Sequence, residues 1–238
     1  MFAARSPLRE DPLMRPSRPA SFALLAALLL AGCSSTSSGS VDNAAPSGNV
    51  APPGPSSGGP TASGSPGPIP VGAGPQTKYT VQRQPPAGSC HYRADKGEPL
   101  PDPSCTPGAI SPAVTQANLS STICRKGGYT AGIRPPASVT GKEKTLNAAS
   151  YGYNGSLADA EFDHEISLQL GGDPNDPRNL WVEPPDPGHK AGAGVNNAKD
   201  PVETKLHTAV CAHKVTLAQA QRAIVADWST ALHTLGIG

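Results

Sequence analysis

The sequence predicts a small, loop-rich α+β domain, stapled by disulfides and closed by a C-terminal helix pair. Three observations carry this. Four of the five cysteines, Cys90, Cys105, Cys124 and Cys211, fall within residues 78–238. Apolar residues recur at helical spacing over 196–211 (Val202, Leu206, Val210) and 216–235 (Leu217, Ile224, Trp228, Leu232, Leu235). Elsewhere the apolar runs are short, alternate, and are cut by prolines and glycines. With only 4% aromatic and 16% charged residues against 28 Pro and 26 Gly, the whole chain cannot be globular. Ordering a residue costs about 1–2 kcal/mol that burial must offset.

The elements in chain order begin with an address. Residues 21–33 read SFALLAALLLAGC, with Arg15 and Arg18 before them. A positive flank, a short apolar core and small residues at its end are the features of a secretory signal. Leu30-Ala31-Gly32-Cys33, followed by Ser34 and Ser35, resembles the bacterial lipobox. The resemblance implies cleavage before Cys33 and lipidation of its thiol, which accounts for the odd cysteine. Residues 34–77 hold 10 Ser, 9 Pro and 9 Gly with one charge, Asp42. This composition is a spacer of about 35–40 Å as a coil. It leaves 78–238 as the folded domain.

Lys78 opens a short alternation to residue 83, read as a strand. Val114, Leu119 and Ile123 suggest a helix over 111–124. Residues 129–134 suggest a strand stopped by Pro135-Pro136, and 140–151 a helix. Thr216 and Gln219 form a capping box at the start of the last helix. Pro201 is compatible with the helix over 196–211 only in its first turn. An exported domain meets an oxidising compartment, so two disulfides are expected. Of the three pairings, Cys90–Cys105 with Cys124–Cys211 is the expected one. It closes a short Pro/Gly-rich loop and staples the front of the domain to its C-terminal helices. Zinc is the rival, weakened by the absence of a Cys-x-x-Cys pair.

Residues 161–184, EFDHEISLQLGGDPNDPRNLWVEP, hold the chemistry. They read as a strand ending at Asp163-His164, an extended segment through Ile166, Leu168 and Leu170, then a turn-rich loop to Asn179-Leu180-Trp181. A helix starts near Asn197. Asp163-His164, Leu170-Gly171-Gly172 and Arg178-Asn179-Leu180-Trp181 resemble an HNH nuclease of the His-Me finger superfamily. The likeness extends to Lys199-Asp200-Pro201-Val202-Glu203. It implies a ββα-metal finger over about 158–211 around one divalent metal, Mg²⁺ first and Mn²⁺ as the alternative. It implies His164 as the base, Asp163 as a metal ligand and Asn179 as a brace that holds His164. The third position falls on Asn197, which is either a second ligand or a helix cap, with His189 as the alternative ligand.

The residue chemistry points the same way. Phosphodiester hydrolysis needs a base for water and positive charge at the phosphate. Arg178 and Lys199 are candidate phosphate contacts. Glu203 and His207, four apart on a helix, could pair on a metal, though an ordinary ion pair is the simpler expectation. Trp181 and Trp228 read as core anchors.

Two functions follow. One is an endonuclease acting on DNA or RNA with low sequence specificity. It would be lipid-anchored in the cell envelope, at the outer membrane where the cell has one. The other is a non-catalytic lipoprotein that uses the same fold to bind a partner. A net charge of +1 excludes a polybasic nucleic-acid coat. The 15 Lys and Arg of residues 78–238 balance 15 Asp and Glu, so the domain lacks the basic surface of a tight binder. Glu10 and Asp11 do not suit a signal's leading region, so translation is expected to start at Met14. Terminal sequencing of the uncleaved precursor checks this, and a Met1 terminus refutes it.

Overall fold

The computed structural model describes residues 67–238. The signal, the Cys33 lipidation site and most of the spacer lie outside the described residues. Among those described, no helix is long and apolar enough to cross a membrane.

The chain is mixed α and β, with two small antiparallel ladders and several helices. β1 (Arg93–Asp95) pairs with β2 (Glu98–Leu100) through a two-residue turn, Lys96-Gly97, with both φ positive (51° and 92°). Positive φ at both central positions matches the turn to the right-handed twist of the strands. α1 (Ala137–Ser150) starts directly after Pro135-Pro136, where a proline costs no helical hydrogen bond. β3 (Glu161–His164) pairs with β4 (Leu180–Glu183), setting Glu161 opposite Glu183 and Asp163 opposite Trp181. α2 (Lys199–Cys211), α3 (Leu217–Asp227) and the short α4 (Ala231–Thr234) follow.

The outer edge of β4 is completed by a side chain. Asn147 of α1 accepts from the Val182 amide (2.7 Å) and donates to the Leu180 carbonyl (3.3 Å). Its carboxamide takes the place of a neighbouring peptide, so this edge is not left open. Behind the ladder, Tyr92, Tyr151 and Trp181 pack together. The main core is a separate cluster, where Leu206 and Val210 of α2 meet Leu217 and Ile224 of α3, with Ile166, Leu170 and Trp228 among them. Trp181 and Trp228 are both buried.

Both expected disulfides are present, Cys90–Cys105 and Cys124–Cys211. The second joins residues 87 apart. In the chain-entropy account this removes about 4–5 kcal/mol of freedom from the unfolded chain. The Thr216–Gln219 capping box is formed, and Pro201 lies in the first turn of α2.

Several expectations are corrected. Residues 78–83 form no strand. Their backbone is instead drawn to α1, the Gln82 amide donating to Glu143 (2.7 Å). The expected strand over 129–134 is a 3-10 turn, Thr130–Ile133, and the expected helix over 111–124 shrinks to the 3-10 turn Gln116–Ser121. Residues 166–170 do not run extended. Leu168–Leu170 is a 3-10 turn that buries both leucines, so their period of two was a turn's pattern as well as a strand's. The last helix breaks at Trp228 into α3 and α4.

The end of the spacer is also structured. Ile69 packs on the core, Val71 bridges to Ile110, and the Gly74 amide donates to Asp173 (2.6 Å). Burial places Ile69, whereas Val71 is 58% exposed and is held by its backbone pairing with Ile110.

Asp102 holds the Cys90–Cys105 loop. It accepts from the Ser104 amide (2.8 Å), the Ser104 hydroxyl (2.6 Å) and the His91 amide (2.8 Å). Burial pushes its carboxyl up, but the bonds from Ser104 and His91 outweigh that and hold it below its usual value. A carboxyl lowered on folding stabilises above its unfolded value and loses that contribution as pH falls through the folded one. Asp102→Asn is therefore expected to cost about 1–3 kcal/mol at neutral pH. The deficit should shrink below pH 3.8, the ordinary aspartate value. Urea unfolding at both pH values measures it, and a deficit independent of pH refutes it.

Candidate active site

The site is assembled from β3, β4, the loop between them and the first turn of α2. In the extended backbone of β3, Asp163 and His164 leave on opposite faces. The loop is locked by Asn179, which is fully buried. Its Oδ1 accepts from the Ile166 amide (2.9 Å) and the Ala109 amide (3.2 Å), and its Nδ2 donates to the carbonyls of Ile166 and Asp173 (3.0 Å each). The amide thus uses both donors and both lone pairs. Gly171 takes φ +75°, and a Cβ on Gly172 would lie 1.7 Å from the Ile166 carbonyl oxygen. The Gly-Gly pair is therefore a close-approach requirement of the same loop.

His164 is 7% exposed. Its Nε2 lies 3.1 Å from the Pro174 carbonyl, which can only accept, so Nε2 carries the hydrogen. Among the described residues its Nδ1 has no hydrogen-bond partner, and in the neutral ring that nitrogen is an acceptor. Burial holds the imidazole below its ordinary value, against the pull of Asp163 and the Pro174 carbonyl, so the ring is neutral near pH 7.

On the other face lies a buried group of acids around one cation. Lys199, fully buried, donates to Asp163 Oδ2 (2.6 Å), to the His164 carbonyl (2.7 Å) and to Glu203 Oε1. Glu165 and Glu183 also act on its charge. Burial pushes Asp163 up, but Lys199 outweighs that and holds the carboxyl low. Burial raises Glu203 to about 7 and Glu165 to about 8. It also raises Glu183 well above the carboxylate range, with the charge of Asp163 adding to the effect. Glu165 Oε2 and Glu183 Oε1 are buried without a hydrogen-bond partner.

Asn197 joins this group from below. Its Nδ2 donates to Glu161 (3.0 Å) and Glu183 (3.1 Å), while its Oδ1 accepts from the Lys199 amide (2.8 Å) at the start of α2. Asn197 is not the foreseen helix cap, since the cap position of α2 is Ala198; it lies one residue before it and ties the Lys199 amide. A second lone pair remains on that oxygen.

The structure thus gathers Asp163, His164, Asn197 and Lys199, with Asn179 behind them. Lys199 is corrected from a phosphate contact to a buried counter-charge, because all three of its N–H groups are taken inside. Arg178 stays at the surface, paired with Asp176 (2.6 Å). His189 faces Asp159 (3.5 Å), whose carboxylate also accepts from the Gly192 and Gly194 amides. Glu203 pairs with Lys199, and His207 bonds the Ile123 carbonyl (2.9 Å), so the two do not act as a pair. Glu165 and Glu183 were not foreseen as members. Glu183 arrives through the register that sets it opposite Glu161, which no local pattern encodes.

Among the described residues, the one group of His, Cys, Asp and Glu side chains close enough together to hold a metal ion is Cys124, His207 and Cys211, but its two sulfurs are joined as a disulfide. An apolar groove of about 810 Å³, lined by Ile69, Arg222, Ala223 and Leu235 among others, lies apart from the residues above.

Comparison with protein-family models, curated proteins and solved structures returns no match.

The glycine requirement is testable. Gly172→Ala is expected to lose more than about 3 kcal/mol. Gly132→Ala, with nothing within 4 Å of the new Cβ, should stay within about 0.5 kcal/mol of wild type. Equal midpoints in urea for the two variants refute the close-approach account.

Proposed function

We propose that this chain is a divalent-metal-dependent phosphodiester hydrolase of the HNH type, an endonuclease on DNA or RNA with low sequence specificity. Its β3–β4–α2 order is what supports reading this region as a ββα finger. The proposed setting is the cell envelope, with the protein anchored through a lipid on Cys33. The observation that carries the proposal is the state of His164. Its Nε2 hydrogen is committed to the Pro174 carbonyl, its Nδ1 is free to accept a proton, and Asn179 fixes the loop that supplies Pro174.

The residues suit a hard cation. Carboxylates and a backbone carbonyl are oxygen donors of the kind Mg²⁺ and Mn²⁺ prefer. Asp163 and Asn197 would hold the metal, and once bound it would supply positive charge to the phosphate and the leaving oxygen. His164 would take the proton of the attacking water at Nδ1 and keep its orientation through Nε2. Arg178, at the surface, would meet the nucleic-acid backbone.

A second function, a binding module without catalysis, is favoured by two observations. His164 is 7% exposed, and the ammonium of Lys199 already satisfies Asp163 and Glu203. Incubating the full chain, disulfides intact, with plasmid and with RNA separates the two. The nuclease should cut in Mg²⁺ or Mn²⁺ and stop in chelator, and His164→Ala should fall by at least about 100-fold. Wild type that cuts no better than His164→Ala with either ion establishes the binding module instead.

A further inference from the structure

The disulfide Cys124–Cys211 has a histidine at its edge. His207 and Cys211 stand four residues apart on α2, so both side chains leave the same face of the helix. Cys211 Sγ lies 3.3 Å from His207 Nε2. That nitrogen also lies 2.9 Å from the Ile123 carbonyl, which can only accept, so Nε2 carries the hydrogen. Cys124 follows Ile123 directly, and one ligand atom from each of Cys124, His207 and Cys211 lies within 4.8 Å of the other two. Cys90–Cys105 has no such third ligand among the described residues.

Joined to each other, the sulfurs offer a metal no thiolate. Reduced, they are the soft ligands that Zn²⁺ takes together with imidazole. A tetrahedral zinc, with bonds of about 2.3 Å to sulfur and about 2.0 Å to nitrogen, sets its ligand atoms about 3.5–3.8 Å apart. Cys211 and His207 are already close to that separation, and the two sulfurs need part only to about 3.8 Å. All three residues are half-buried, so a reductant can reach them. The helix end points the same way. Cys211 is the last residue of α2, where unpaired carbonyls disfavour two free thiolates and favour a cation between them.

We propose that Cys124, His207 and Cys211 are a zinc site in the reduced chain, and that the disulfide is the oxidised form of the same site. A dithiol supplies the two electrons. Its thiolate attacks one sulfur and the other leaves as a thiolate; the dithiol's second sulfur then closes its own disulfide and frees the first. Binding of Zn²⁺ releases the two thiol protons, and His207 moves its hydrogen from Nε2 to Nδ1, giving up the Ile123 carbonyl. A disulfide oxidant reverses these steps and expels the ion. Either form clips together residues 87 apart, so the staple survives reduction. The site lies about 18 Å along α2 from Lys199 and does not depend on nuclease activity.

The first measurement reduces the full chain with a water-soluble phosphine, which becomes its oxide and leaves no dithiol to compete for metal. Co²⁺ then serves as the spectroscopic probe of a zinc site. Reduced wild type should take up one Co²⁺ per chain with thiolate-to-cobalt charge-transfer absorption, which Zn²⁺ abolishes; the oxidised chain should show none. Cys90→Ser/Cys105→Ser should keep the absorption and Cys124→Ser/Cys211→Ser should lose it. No absorption in reduced wild type, or the same absorption in Cys124→Ser/Cys211→Ser, overturns the proposal.

The second uses His207→Ala, which keeps both cysteines. Reduced, it should bind Zn²⁺ at least about tenfold more weakly than reduced wild type, a change of about 1.4 kcal/mol. Zn²⁺ should also raise the thermal midpoint of reduced wild type by more than that of oxidised wild type, since any binding at the Asp163 face acts equally on both. Equal Zn²⁺ affinity in His207→Ala and wild type, or equal rises in the two midpoints, overturns the proposal. If Cys124→Ser/Cys211→Ser does not fold, reduced wild type and His207→Ala decide.

Discussion

The ammonium of Lys199 is the contact on which the site's geometry depends. It draws β3 and α2 together, because Asp163 and the His164 carbonyl belong to the strand while Lys199 and Glu203 belong to the helix. An ion pair in water would contribute little. In the interior, losing one partner strands an uncompensated charge, at a cost of several kcal/mol. The position of the helix against the strands is therefore held by electrostatics, with Leu206 and Val210, further along the same face of the helix, supplying the apolar contact.

A second brace works by neutral hydrogen bonds. Asn179 ties the β3–β4 loop to itself and to Ala109, and the Gly171-Gly172 turn makes room for it. The two braces meet at His164, whose ring is anchored to the loop at Pro174 and whose carbonyl is anchored to Lys199. One residue is thereby fixed at both its backbone and its side chain. Such a double anchor restricts the ring to one tautomer and one orientation, which is what a base needs and also what a merely structural histidine tolerates.

Several features were legible because their signals are local. A capping box lies within one turn, and the strand ending at Asp163-His164 is a short local run; Pro135-Pro136, read as the stop of a strand, instead opens α1. The disulfide pairing followed from loop closure and the expected position of the C-terminal helices. Where the same local pattern serves two structures, the signal failed. Alternating apolar residues became a 3-10 turn at Leu168–Leu170, and a helical run split at Trp228, because burial in the core outweighs weak propensities over short segments.

By itself, the sequence determined the α+β class, the cysteine pairs, the start of α3, and the presence of Asp163, His164 and Asn179 in one short stretch. Those are properties of neighbouring residues. α2, expected from residue 196, begins at Lys199. Only the tertiary structure decided that Lys199 faces inward among carboxyl groups, that Asn197 ties the Lys199 amide while clasping Glu161 and Glu183, and that Ile69 and Val71 belong to the domain. The reason is physical. Strand register, the side of a helix that is buried and the dielectric around a charge are set by residues far apart in the chain, and a lysine's role reverses between water and a ring of acids.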